Sequence, residues 1–146
     1  MTLVIDAAPI VALADVGEPL RDNILNVLTA EPGELVIPAP VTAEIDYLLG
    51  QRFGTAARRA FLADLASGRF TVDSLERDDY TAALDVESGY ADLDLGLADC
   101  SIAMLAGRHR TTRILSFDQP HFRAIEPLQG GAFTILPADA ATAGMT

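Results

Sequence analysis

The chain has no lysine, no tryptophan, one cysteine and two histidines. With Cys100 alone, neither an internal disulfide nor a cysteine-based zinc site can form, and this residue reads as a small apolar side chain buried on a helix. No G-x-G-x-x-G, Walker A or G-x-S-x-G pattern occurs. Dinucleotide binding, P-loop chemistry and serine-hydrolase chemistry are thereby left without their usual sequence support. No apolar run approaches the length needed to span a bilayer. The N-terminus lacks a basic leader and runs straight into a strand, so no signal peptide is expected and a cytosolic protein is the simplest reading. Positive charge is scarce as well: 10 bases, all arginine, face 21 acids, for a formal net charge of −11. Such a surface repels phosphate and argues against a passive nucleic-acid-binding module. It is compatible with an enzyme whose carboxylates are neutralised by metal cations, and with a basic partner segment that balances the charge.

What remains is a chain of 146 residues, 50% of them apolar, enough for a single domain around one core. Leu3-Val4-Ile5 is an apolar, mostly β-branched run that ends in Asp6, the pattern of a buried central strand closing on a carboxylate. The pattern returns as Ile114-Leu115-Ser116-Phe117, closed by Asp118. Further strands are expected at 35–38, at 69–72 (on a sheet edge) and at 133–136. Between them the apolar spacing predicts helices. A short one carries Pro9 in its first turn. A second runs from Leu20 to Thr29. A third is opened by Pro40 and carries Val41, Glu44, Ile45 and Leu48. A fourth runs from an N-cap at Thr55 to Ala66, with Phe61, Leu62 and Leu65 as its buried stripe. A fifth spans Glu76 to Ser88 with Tyr80, Ala83, Leu84 and Val86, and a sixth starts near Leu97 with Asp99 in its first turn. The stretch from Gly89 to Gly96 is an acid-rich loop. The tail from Pro137 is small and polar and is expected to fray. Strands alternating with helices predict an α/β protein, a parallel sheet with helices on both faces, as one domain over residues 1–146.

Most of the acids fall on helix faces, caps or turns and read as solvated, Glu31, Asp73 and Asp79 among them. Four stand in a different context. Asp6 and Asp118 each end an apolar strand, while Glu44 and Asp99 lie beside apolar helical stripes, Glu44 near a buried face. In an open parallel sheet, ligands bind at the carboxyl ends of the strands. Four carboxylates from distant segments can therefore meet at one sheet edge. Buried charges need a partner, and arginine pairing is the plain alternative for each of them. A hard divalent cation explains all four together. Mg²⁺ prefers oxygen ligands and keeps several waters, and an ion so held can activate water and offset charge on a phosphodiester. Carboxylates alone would repel that polyanion.

The other polar residues read more plainly. His109 sits at an arginine-rich helix end and is expected on the surface. His121 follows Asp118 closely, yet a structural role is the first reading. Ser116 reads as a packing residue, with a hydrogen bond to a metal ligand or a phosphate as the alternative. Arg108, Arg110 and Arg113, and likewise Arg52, Arg58 and Arg59, are explained equally by steering of RNA phosphates or by helix-end surface charge.

With these pieces in order, the chain resembles PIN-domain proteins, specifically VapC-type toxins of prokaryotic toxin–antitoxin systems. The resemblance is carried by Val4-Ile5-Asp6, by Val41-Thr42-Ala43-Glu44-Ile45, by the run from Tyr90 to Ser101 around Asp99, and by Ile114 to Phe122 around Asp118. It implies a PIN-like three-layer α/β/α fold with a central five-stranded, mostly parallel sheet in the order 3-2-1-4-5. It implies an endoribonuclease dependent on Mg²⁺ or Mn²⁺, with Asp6, Glu44, Asp99 and Asp118 as catalytic and metal-binding residues. Asp6 and Asp99 would be the most direct ligands. It also implies a homodimer held inactive by a VapB-like antitoxin in a hetero-oligomer, the antitoxin laying a segment over the groove. Ala8 departs from the pattern, since many relatives carry Ser or Thr there. Asp92 and Asp94 compete for the third acidic position, and Asp99 is preferred because it begins a helix with an apolar face. Two other classes stand beside this reading. One is a catalytically weak or inactive PIN-like module that docks a basic partner segment, which Ala8 favours. The other is a phosphoryl-transfer enzyme with a strand-end aspartate; it is disfavoured because Ala8 stands where a second Asp is wanted and the chain has no lysine.

Overall fold

Strand β1 (Thr2–Ile5) is buried along its whole length, as its unbroken apolar run requires when both faces are covered. In the computed structural model, which describes residues 2–140, it lies at the centre of a five-stranded sheet ordered β3-β2-β1-β4-β5. The other strands are β2 (Glu34–Pro38), β3 (Thr71–Asp73), β4 (Arg113–Leu115) and β5 (Thr134–Leu136). Every pairing is parallel, with Val4 opposite Val36 on one side and Ile114 on the other. The sheet is thus wholly parallel where a mostly parallel one was expected. Its flanking helices are α1 (Ala7–Ala12), α2 (Arg21–Ala30), α3 (Ala39–Phe53), α4 (Thr55–Ser67), α5 (Arg77–Gly89), α6 (Leu97–Arg108) and α7 (Gln119–Ala124). They give the three-layer arrangement that parallel strands require, since each return crossing must pass over a face.

The strand order reverses at β1, with β2 on one side and β4 on the other. The crevice beyond the carboxyl ends of β1 and β4 is therefore the topological switch point, where open α/β sheets bind ligands. Helix α6 is buried from Cys100 to Ala106, and apolar residues on nearly every side suit a helix packed on several partners. It touches β1, β2, β4, α3 and α5. Its first turn is thereby held over the crevice. Cys100 is buried and free, as expected.

Several local expectations are corrected. Helix α4 is preceded by Gly54 and not capped by Thr55, because the corner between α3 and α4 is made with φ +89° and ψ −177°, a region essentially reserved for glycine. Leu62 lies outside the buried stripe of α4, with half of its surface in solvent. On α5, Ala83 and Val86 face the core while Tyr80 and Leu84 are exposed. Apolar side chains line two faces of that helix, and periodicity alone does not say which face packs. Strand β4 ends at Leu115, so Asp118 is the N-cap of α7 and does not close the strand. Glu31 is not solvated: its side chain is inaccessible and accepts from Arg113 Nη2 at 2.8 Å and Nε at 3.3 Å. Asp79 pairs with Arg108, and Asp73 Oδ2 lies 2.5 Å from His109 Nε2, so that histidine is partly buried and not a surface residue. Residues 137–139 form a turn in which Asp139 accepts from Ile135 N and pairs with Arg123. The remainder of the tail expected to fray, 141–146, lies outside the described residues.

Candidate metal centre

Asp6 is the residue after β1, and its backbone N–H still donates to Leu115 O at 2.9 Å, extending the β1–β4 pairing by one bond. Its side chain caps α1, with Oδ1 accepting from Ala7 N at 2.8 Å. Its other oxygen, Oδ2, accepts from Ser116 Oγ at 2.8 Å. The same hydroxyl oxygen accepts from Asp118 N at 3.0 Å. Ser116 thus ties the end of β1 to the turn after β4, and the packing role expected for it is incomplete. Sequence spacing carried no sign of this, because 110 positions separate Asp6 from Ser116.

Asp118 caps α7 with Oδ1, which accepts from His121 N at 3.2 Å, while Oδ2 lies 2.7 Å from His121 Nδ1. Asp99 stands in the first turn of α6, where Oδ2 accepts a long bond of 3.4 Å from Gly96 N, a position favourable to an anion. The same Asp99 oxygen is 3.7 Å from His121 Nδ1. Glu44 comes from α3, whose start is fixed by Pro38 ending β2 and Pro40 in the first turn. It is exposed and not at a buried face, and it leans on the rim beside the buried Val41 and Ile45.

Asp6, Glu44, Asp99 and Asp118 line one open cleft of about 600 Å³, together with Ala7, Ala8, Leu48, Arg52, Gly96, Ala98 and Phe117. All four expected acids are brought together. Asp92 and Asp94 are exposed and do not line it. Ala8 is exposed on its wall, so the side chain there presents a methyl group to the cleft. Arg52 is the one basic residue on the lining, and among the described residues it forms no ion pair with these acids. Arg108 and Arg113 are engaged elsewhere, with Asp79 and Glu31.

The electrostatics follow from this geometry. Asp6 is only 9% exposed, and both of its oxygens meet neutral donors. Burial raises its pKa, and the charges of Asp99 and Asp118 add to the rise, against the lowering effect of the Ser116 and Ala7 hydrogen bonds. Partial shielding by the cleft wall raises Glu44, aided by Asp6 and Asp99. Burial likewise raises Asp99, with Asp118 pushing the same way. His121 lies beside Asp99 and Asp118, but among the described residues no arginine pairs with any of the four, and mutual repulsion of such carboxylates is the condition a divalent cation relieves. The donor set is made of hard oxygens, from four separate segments, open to water on one side. It fits an ion of the Mg²⁺ or Mn²⁺ kind.

Residues 3–126 match the family model described as PIN domain. The chain belongs to the PIN-domain family. Within that family its similarity is to VapC-type ribonucleases. It is 33% identical over 135 residues to Ribonuclease VapC26 of Mycobacterium tuberculosis (strain ATCC 25618 / H37Rv), covering 92% of this chain and 100% of that protein. Its fold is similar to Mycobacterium tuberculosis VapC20, described as a sarcin-ricin loop cleaving toxin. That match has a TM-score of 0.72 at 18% identity, over 80% of this chain and 89% of the other. VapBC2 from Rickettsia felis, bound to a DNA fragment from its promoter, gives a TM-score of 0.69 at 17% identity, over 92% and 98%. A toxin–antitoxin complex from Klebsiella pneumoniae gives 0.67 at 17% identity, over 84% and 92%. Among the described residues, no helix is long and apolar enough to cross a membrane.

Proposed function

We propose that this protein is the toxin of a toxin–antitoxin pair, a divalent-metal-dependent endoribonuclease that hydrolyses RNA phosphodiesters in the cleft beyond β1 and β4. The observation that carries the reading is the convergence of Asp6, Glu44, Asp99 and Asp118 at the switch point with no arginine paired to them among the described residues. Asp6 and Asp99 would hold the ion most directly, with Asp118 and Glu44 completing the set. When bound, a divalent ion lowers the pKa of a water and offsets the charge that builds on the phosphate. The chain's own groups prepare the rest. Ser116 fixes the carboxylate plane of Asp6 through its hydroxyl. Glu44, at the solvent side and with a raised pKa, is placed to orient the attacking water and take its proton. Arg52, on the same lining, offers a guanidinium to a neighbouring phosphate.

The whole chain, residues 1–146, acts as one domain in this reading, in the cytoplasm and as a homodimer. Its partner is an antitoxin that lays a basic segment over the cleft, where it would neutralise the acids and exclude RNA. Purified wild type is expected to cleave RNA with Mg²⁺ or Mn²⁺ and to stop on chelation. Asp6→Asn should lower cleavage by at least about 100-fold while the circular dichroism spectrum is unchanged. Cleavage by the folded variant at the wild-type rate would overturn the reading, as would RNA cleavage indifferent to chelator.

A further inference from the structure

The four acids leave one nearby side chain without a role. His121 Nδ1 lies 2.7 Å from Asp118 Oδ2 and 3.7 Å from Asp99 Oδ2. One donor atom each from Asp99, Asp118 and His121 falls within 4.8 Å of the other two. Around an ion with bonds of about 2.1 Å, neighbouring donor atoms are about 3 Å apart and opposite ones about 4.2 Å. The two separations from His121 Nδ1, 2.7 Å and 3.7 Å, lie close to the first of these distances and between the two. We propose that His121 supplies an imidazole nitrogen, through Nδ1, to the same divalent ion that Asp99 and Asp118 hold, and that this gives the centre a preference for Mn²⁺ over Mg²⁺. The inference rests on the reading of the acidic cleft as a metal centre and adds a residue and a selectivity to it.

The local backbone explains why the imidazole is available. Asp118 spends Oδ1 on capping His121 N, so Oδ2 is the oxygen left facing the ring. His121 is the third residue of α7, a short helix whose start is pinned by Pro120 and by the Ser116 bond to Asp118 N. Both α7 donors are thereby fixed on one side, and α6 brings Asp99 to them from the other. A ring that only oriented Asp118 would need one carboxylate; this nitrogen faces two, from separate helices. Imidazole nitrogen suits transition-metal ions, while Mg²⁺ favours oxygen and retained water. The competing reading is a protonated imidazole serving as counter-ion to both acids, in which case bound cation and His121 would exclude each other.

Pulsed electron paramagnetic resonance of Mn²⁺ bound to the full-length protein separates the two without any mutation. Ligation predicts ¹⁴N modulation of the Mn²⁺ signal in wild type, retained in His109→Gln, and absent from His121→Asn. The asparagine can still donate to Asp118, so it preserves orientation but removes the imidazole. Titration calorimetry on the same proteins should show His121→Asn weakening Mn²⁺ by about tenfold or more, with Mg²⁺ changed by less than about threefold. Bound Mn²⁺ without ¹⁴N modulation in wild type would overturn the ligation and leave the acidic centre standing. Full Mn²⁺ affinity in His121→Asn would do the same. Failure of folded wild type to bind either ion would overturn the inference and the metal-centre reading together.

Discussion

Ser116 shows how much a single hydroxyl can carry. It donates to Asp6 Oδ2 and accepts from Asp118 N, so it sets the geometry of two carboxylates without touching an ion. Ser116→Ala is expected to reduce metal affinity by about 10- to 100-fold, and Ser116→Thr to restore most of it; calorimetric titration checks both. Asp6 itself is held at a cost. For an acid whose folded-state pKa lies above its unfolded value, the native state binds the proton more tightly. Stability is then greatest while the group is protonated and falls as pH rises through the folded pKa. Asp6, Glu44 and Asp99 all shift this way. Metal-free protein should therefore gain stability on mild acidification from neutrality, over the interval just above ordinary carboxylate values. At neutral pH, metal-free Asp6→Asn should melt higher than wild type, by about 2–4 °C for each kcal/mol of strain relieved. Melting curves in chelator across pH provide the test, and a wild-type melting temperature that only falls on acidification would sink this account. The place of Asp6 was legible in the sequence because an apolar strand running into a carboxylate is a local pattern, whereas Asp118 caps α7 and Glu44 is exposed, against the expectation for each. The Ser116 contact with Asp6 was missed because its partner lies on another segment, and no local spacing records that.

At the scale of elements, the corner between α3 and α4 is the most demanding backbone feature. Gly54 adopts φ +89° and ψ −177°, and nothing lies within 4 Å of where a Cβ would be. A substitution there is opposed by backbone strain and not by crowding. Gly54→Ala is expected to cost about 1–3 kcal/mol without altering Mn²⁺ affinity of the folded protein; urea unfolding and calorimetry measure the two separately. A similar loss is expected where β2 and β4 are tied at their starts. The Glu31 side chain is inaccessible against Arg113, and Glu31→Ala, which leaves the guanidinium short of its partner, should cost about 3 kcal/mol, read by the same unfolding experiment. Element type and order were legible from apolar runs and breakers. The corrections cluster at helix faces and ends. On α5, Tyr80 and Leu84 make as good a stripe as Ala83 and Val86, and only the packing partner decides. Thr55 looks like a cap because its side chain suits one, whereas the sharp corner demanded the glycine beside it.

The whole molecule is an acid that handles an acid. With a formal charge of −11, the protein repels RNA over a range set by the Debye length, about 8 Å in physiological salt. Raising monovalent salt should thus spare RNA cleavage, or speed it, at fixed divalent concentration. Association with a basic antitoxin segment should slow over the same range. Stopped-flow binding and cleavage assays across a salt series distinguish these slopes, and a steep loss of cleavage with salt would contradict the picture. The fold class could be anticipated from the alternation of strands and helices, while the strand order was implied by the resemblance to PIN-domain proteins. The pairing of Glu31, Asp73 and Asp79 was not legible, because each partner lies on a distant segment. The Ser116 link has a further consequence, in time. Asp6 is made 110 positions ahead of its orienting hydroxyl, and the β4 backbone that accepts its N–H and Asp118 come from the same later stretch. During synthesis the earlier carboxylate waits, unoriented, until that stretch has been made. The order of the chain itself therefore delays assembly of the acidic cleft until the segment from Leu115 to Asp118 has been made.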